Sequence, residues 1–206
     1  MPFSVWRDRL FRAPRWDQAV FWSLDLETSG LKPATDRIIS VGMVPIRGGV
    51  IRYGERYHQL VRPATLDDLS TQGIRAHHIL PAELAGAPPL ADVLPEVDRR
   101  IREGVLLVHY AHLDVQFLRG AYRRCGLAWP SPRVVDTVDL LLRWHRRRQQ
   151  WTPHPPPART ALSDARAMFQ LPDYPVHDAL GDALSAAELF LVLRHRLGLE
   201  TLRSIL

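Results

Sequence analysis

Asp25 and Glu27 stand two positions apart in the apolar run VFWSLDLE, residues 20 to 27. Alternation along a strand puts such a pair on one face, about 7 Å apart along the backbone. Both ionise at neutral pH, and two like charges at the end of a buried strand are unfavourable unless a cation neutralises them or one takes up a proton. A magnesium-type ion, which prefers oxygen ligands, resolves that conflict. An exposed edge strand with two solvated acids is the competing reading, and the flanking Val20, Phe21, Trp22, Leu24 and Leu26 argue against it. Asp114 lies a few residues past the run VLLVH, 105 to 109. The carboxyl end of a parallel strand, where a helix opens, is where open α/β sheets keep their sites. Aspartate also caps first helical turns, so Asp114 alone decides nothing. His177 and Asp182 complete the set in HDALGDA. Five helical steps turn a side chain about 140° from its origin, so the two cannot share a face within one helix. The histidine therefore belongs to the preceding loop, with Asp178 as the helix cap. Asp182 then points toward the sheet, past the small residues Ala179, Ala183 and Ala186. A surface histidine beside a solvated acid is the alternative.

These residues need a frame that unites three distant segments. The run at 20 to 27 reads as a buried strand ending at the turn signal Thr28-Ser29-Gly30. Strands at 38 to 46 and 50 to 61, joined across Arg47-Gly48-Gly49, extend it to an antiparallel meander. A loop through Gly73 and a short helix near 81 to 85 follow. In the helix at 90 to 102, Leu90, Val93, Leu94, Val97 and Ile101 fall at helical spacing. A strand at 105 to 109 feeds a helix at about 113 to 125, and Val134-Val135 feeds a helix from Asp136 to about Arg148. Strands alternating with helices imply parallel crossovers. The proline-rich stretch from Trp151 to Arg159 is a loop, a short helix spans 161 to 169, and a long one runs from Asp178 to Leu197. The reading is one α/β domain over residues 19 to 206, preceded by an N-terminal arm, 1 to 18, in which Trp6, Phe11 and Trp16 either pack on the domain or dock a partner.

At 206 residues, with 46% hydrophobic and 24% charged side chains, the chain suits one globular domain with a real core and not a disordered one. One cysteine, Cys125, excludes an internal disulfide and a multi-cysteine zinc cage, and favours a reducing, cytoplasmic setting. No run approaches 18 apolar residues, so neither a membrane span nor a secretory signal is expected. The net charge of +5 permits a polyanionic partner. Its make-up, 26 arginines against the single Lys32, fits genome-wide codon bias as well.

Taken together, LDLETSGL, HYAHLDVQFL and HDALGDA, in this order and at these separations, resemble the three exonuclease motifs of the DnaQ-like DEDDh family, and the third motif resembles the branch of the DNA polymerase III epsilon subunit. His77 in IRAHHIL is similar to the family's intervening histidine motif, and Val135-Asp136-Thr137 to its Asp-Thr helix start. The resemblance covers roughly residues 19 to 195. It implies a ribonuclease-H-like exonuclease fold, a five-stranded mixed sheet flanked by helices. It implies Asp25, Glu27, Asp114 and Asp182 as ligands of two divalent ions, Mg2+ or Mn2+, and His177 as general base. Thr28 and His77 would touch the substrate. The implied activity is removal of nucleoside 5′-monophosphates from the 3′ end of DNA, single-stranded, in repair or replication, with a DNA polymerase as a candidate partner. An exoribonuclease, or a silent nucleic-acid-binding or polymerase-accessory domain, is the alternative. Three positions depart from the family pattern: Tyr110 replaces the usual Asn, Leu113 the usual Phe, and His78 a common Gly.

Overall fold

The strand that carries Asp25 and Glu27, β1 (Phe21–Thr28), lies in the middle of a mixed sheet. A computed structural model describes residues 14–65, 78–150, 157–174 and 177–206. On one side β1 pairs antiparallel with β2 (Ile38–Arg47), and on the other it pairs parallel with β5 (Val105–Val108). β5 pairs parallel with β6 (Val134–Asp136). The outer edge of β2 is shared by β3 (Val50–Ile51) and β4 (Tyr57–Leu60), both antiparallel to it.

The single strand expected over 50 to 61 is therefore two, interrupted by a 3₁₀ turn at Tyr53–Glu55. Gly54 sits in that turn, and the residues from 52 to 56 are exposed, so no buried face enforces continuous pairing. Because β3 and β4 occupy the same edge, the sheet is five strands wide with its outer position split, in the order β3-β2-β1-β5-β6. The expected mixed sheet flanked by helices is what forms.

The period-2 alternation of β1 divides the core in two. Trp22, Leu24 and Leu26 point to one face, where they pack with Val93, Leu94 and Val97 of α2 (Leu90–Glu103) and with Phe117, Leu118 and Ala121 of α3 (Ala111–Arg124). Phe21 points to the other, against Leu189, Phe190 and Leu193 of α6 (Ala179–Leu197) and Leu140 and Leu141 of α4 (Thr137–Gln149). Three short helices complete the described chain: α1 (Pro81–Ala85), α5 (Leu162–Met168) and α7 (Leu202–Ile205). Odd-numbered residues of β1 share Phe21's face, so Asp25 and Glu27 lie on the side that α6 covers.

Trp16, from the segment read as an arm, packs edge-on against Phe190 and tilted against Phe21. Its backbone N–H donates to the Glu200 carbonyl at 3.2 Å. Trp6 and Phe11, the expected loop at Gly73, His77, and the first six residues of the proline-rich stretch lie outside the described residues. Among the described residues no helix is long and apolar enough to cross a membrane.

Candidate active site

Four acids and one histidine come from three regions of the fold, and each has a local reason for its place. The register sets Asp25 opposite Gly42 and Glu27 opposite Ser40, with an irregularity between Glu27 and Thr28 where the strand leaves the ladder. Gly42 is the point of closest approach to α6. A Cβ there would fall 2.2 Å from the backbone carbonyl of Ala179, so only glycine lets the helix start cross β2 at this height. The Ser23 hydroxyl donates to the Ala183 carbonyl at 2.7 Å, fixing the helix along β1. Ala179, Ala183 and Ala186 are all buried in this seam.

That docking brings Asp182, in the first turn of α6, over Asp25 and Glu27. Asp178 caps the helix by accepting from the Gly181 N–H at 3.0 Å. His177 precedes the helix in a left-handed conformation, φ 63°. Its backbone N–H donates to Asp182 Oδ2 at 3.1 Å. One ring nitrogen of His177 and one carboxylate oxygen each of Glu27 and Asp182 lie within 4.8 Å of one another.

Asp114 reaches the same cleft from the first turn of α3 and is 6% exposed. Its position depends on Asp136, whose carboxylate accepts three backbone N–H groups: Tyr110 at 3.1 Å, Ala111 at 2.8 Å and Val138 at 2.9 Å. Asp136 thus caps α4 and also holds the left-handed turn at Tyr110, φ 68°, that launches α3. Sequence reading assigned Asp136 only a helix start. Its cross-strand role depends on β5 and β6 being neighbours, which the local pattern does not encode.

A cleft of about 360 Å³ is lined by Asp25, Asp114, Asp182 and His177, and by Leu113, Tyr110 and Arg166. Tyr110 occupies the mouth, half exposed, its hydroxyl hydrogen-bonded to Thr160 Oγ1 at 2.5 Å. Behind it His109 is buried, and desolvation, the main cause, lowers its pKa. Its Nε2 donates to the Thr160 carbonyl at 2.9 Å, and its Nδ1 is hydrogen-bonded to Thr137 Oγ1 at 2.7 Å. Arg166 is buried in the opposite wall. It donates to the carbonyls of Ser185 and Pro172 and pairs with Glu188 at 2.8 Å. Tyr174 donates to the same Glu188 at 3.0 Å, so the segment ahead of His177 is tied to α6. A buried arginine with these partners was not anticipated; only its place in a short helical motif was visible.

The electrostatics follow from burial of like charges. Desolvation raises the pKa of Asp25 well above the usual range, and the charges of Asp114, Asp182 and Glu27 raise it further. Asp114 is likewise raised, by burial and then by Asp136 and Glu27. Glu27 is pushed up to about 7 by burial and by Asp182 and Asp178. Burial also raises Asp182, against the opposing effect of the His177 N–H. Thr28 stands at the strand end with its hydroxyl donating to the Gly30 carbonyl at 2.7 Å, while His78 follows the undescribed His77 in a left-handed conformation, φ 56°.

A family model described as an exonuclease, RNase_T, matches residues 23–190. A putative bifunctional exonuclease/endonuclease protein of Mycobacterium tuberculosis is 32% identical over 187 residues, 88% of this chain and 27% of that protein. A PolC-type DNA polymerase III of Thermotoga maritima is 30% identical over 84% of this chain, which spans 12% of that relative. The DNA polymerase III subunit epsilon of Treponema pallidum is 30% identical over 84% of this chain and 76% of its own length. Among solved structures, E. coli Exonuclease I in complex with a dT13 oligonucleotide superposes with a TM-score of 0.76 at 18% identity, over 88% of this chain and 42% of that one. Exonuclease X in complex with 5′ overhanging duplex DNA gives 0.65 at 23%, over 90% and 96%. The fold is that of these ribonuclease-H-like exonucleases.

Proposed function

The chain belongs to the exonuclease family, and from that premise we propose that it is a metal-dependent 3′-to-5′ exonuclease that releases nucleoside 5′-monophosphates from single-stranded DNA. The convergence of Asp25, Asp114, Asp182 and His177 on one cleft, with Glu27 grouped beside His177 and Asp182, carries this reading. The donor set fits hard divalent cations: it offers carboxylate oxygens, it is partly desolvated, and among the described residues none of the four forms an ion pair with a lysine or arginine. Raised carboxyl pKa values are what such a cluster shows without its counter-ions.

When bound, two ions of the Mg2+ or Mn2+ type would polarise the scissile phosphate, acidify the attacking water and offset charge on the leaving oxygen. Asp25, Glu27, Asp114 and Asp182 would hold them, four negative charges against four positive. His177, whose ring reaches the cleft beside Glu27 and Asp182, accepts the water's proton. The water oxygen bonds to phosphorus, the bond from phosphorus to the 3′-oxygen breaks, and the shortened strand keeps that oxygen, which takes up a proton from solvent, as its new terminal hydroxyl. Asp182 holds the His177 backbone N–H and so sets the base's approach. Thr28, at the cleft's strand end, and His77 are proposed to contact the terminal nucleotide.

DNA is favoured as substrate by the similarity to a PolC-type DNA polymerase III and to a DNA polymerase III subunit epsilon, which also supports a polymerase as partner. A 5′-labelled oligodeoxynucleotide incubated with Mg2+ should shorten stepwise from its 3′ end. Asp25→Ala should reduce that rate by at least about 10³-fold. Full activity in the variant would reject the assignment, and faster cleavage of the matched oligoribonucleotide would transfer it to RNA.

A further inference from the structure

Tyr110 stands apart from the other described tryptophans and tyrosines. Each of those is either fully buried, as Tyr122 is, or lies beneath an arginine guanidinium, as Tyr53, Tyr57, Trp144 and Tyr174 do at 4.2 to 4.9 Å. Among the described residues no guanidinium covers the Tyr110 ring, which is 47% exposed. Tyr110 lines the same cleft as Asp25, Asp114 and Asp182, so the uncovered ring belongs to the wall of the proposed catalytic site.

The ring is also held still. Its hydroxyl is hydrogen-bonded to Thr160 Oγ1 at 2.5 Å, and the Thr160 carbonyl bonds His109, whose ring stands at 85° to that of Tyr110 with centroids 5.0 Å apart. A perpendicular contact of this kind engages at most one face of the tyrosine. The backbone is fixed as well, at φ 68° and ψ 60°, with its N–H donating to Asp136. A bulky side chain is an outlier in that left-handed region, whereas Asn enters it readily. Asn is the usual residue of the motif resembled here, so the aromatic ring is present at a conformational cost that the turn itself does not demand. Strain of this sort persists where the side chain has a use.

Leu26, Leu113 and Leu162 add apolar surface to the cleft, which at about 360 Å³ is on the scale of one small ligand. A ligand that suits carboxylate-bound cations at one end and a rigid, uncharged π-face at the other is a phosphodiester with a base attached. We propose that Tyr110 is the platform on which one of the two bases flanking the scissile phosphodiester stacks, and that it thereby selects ends whose bases are present and unpaired. The inference rests on the exonuclease reading above and adds the base to what that site recognises. Stacking needs only a π-face, so the platform favours no particular base and rejects a sugar that carries none. A base inside a duplex is already stacked on its neighbours, so only a splayed or single-stranded end reaches the ring.

The test uses the full chain and ten-nucleotide single strands carrying 2-aminopurine at the terminal or the penultimate position, bound with Ca2+ in place of Mg2+. Stacking quenches the fluorescence of this base. Wild type should quench it at one of the two positions, Tyr110→Phe should retain most of the quench, and Tyr110→Asn, which suits the left-handed turn, should lose it. With Mg2+, an abasic sugar at the quenched position should raise the wild-type KM about 10-fold. Tyr110→Asn should raise the KM of the intact strand by a similar factor and erase the difference between intact and abasic strands, a pattern that a loosened turn alone does not give. No quench by wild type at either position, a quench that survives in Tyr110→Asn, or an abasic penalty equal in the two proteins overturns the proposal. If Tyr110→Asn does not fold, Tyr110→Gly, equally suited to left-handed backbone, replaces it with the same expected losses. A wild type that quenches the base but cleaves no strand rejects the exonuclease reading and leaves the platform standing.

Discussion

At Glu27, burial and the charges of Asp182 and Asp178 raise the carboxyl pKa from its ordinary 4.5 to about 7. A carboxyl that holds its proton more tightly in the folded than in the unfolded chain favours folding when protonated. That contribution is complete below about pH 4.5 and is lost as pH rises through 7. The metal-free protein should therefore melt at lower temperature at pH 8 than at pH 5. Glu27→Gln, which cannot ionise, should recover about 1–3 kcal/mol at pH 8 in the presence of a chelator, read by thermal or urea denaturation. An unchanged pH dependence in the variant would remove Glu27 from the cluster's repulsion. Residue types made this group legible: two acids in an apolar strand signalled an electrostatic conflict. The size of that conflict was not legible, because Asp182 and Asp178 lie far along the chain.

Two elements place the site, and each hinges on one residue whose importance sequence pattern understated. The start of α6 rests on Gly42, where an added Cβ would meet backbone at 2.2 Å. Gly42→Ala must lift the helix, costing about 1–3 kcal/mol and drawing Asp182 away from Asp25. Activity should fall more than stability accounts for, and a variant as active as wild type would show that the seam has slack. A glycine inside the strand IISVGMVPI was the available clue, since strand glycines mark close backbone approach. Asp136 serves α3 and α4 together through three accepted N–H bonds. Asp136→Ala leaves three donors unpaired, and the expected loss is about 2–4 kcal/mol in chemical denaturation. Displacement of Asp114 should lower kcat as well, whereas a loss under 1 kcal/mol would mean that water replaces the carboxylate. The helix bounds themselves were legible to within two residues for α3, α4 and α6, because apolar spacing and caps are local. The split of β3 from β4 was not, because alternation continues through residues that no neighbour buries.

For the whole molecule, the proposed metal site would couple folding to cation binding. At pH 8 and 100 times its dissociation constant, a bound ion stabilises the native state by about 2.7 kcal/mol. Mg2+ should therefore raise the melting temperature by several degrees, and Asp25→Ala or Asp114→Ala should abolish most of the rise. An equal rise in both variants would locate the ion elsewhere. The sequence by itself determined the inventory: which side chains carry charge, which faces of β1 and the helices are apolar, and the order of motifs that resembles the exonuclease family. Those properties are local, set by a residue's type and by the periods of strand and helix. Only the tertiary structure decided that Asp114 and Asp182 meet Asp25 and Glu27, that Asp136 holds the turn behind Asp114, and that Tyr110 lines their cleft with its ring half exposed. Desolvation and Coulomb repulsion depend on separation through space, and chain packing fixes that separation with no trace in the spacing of letters.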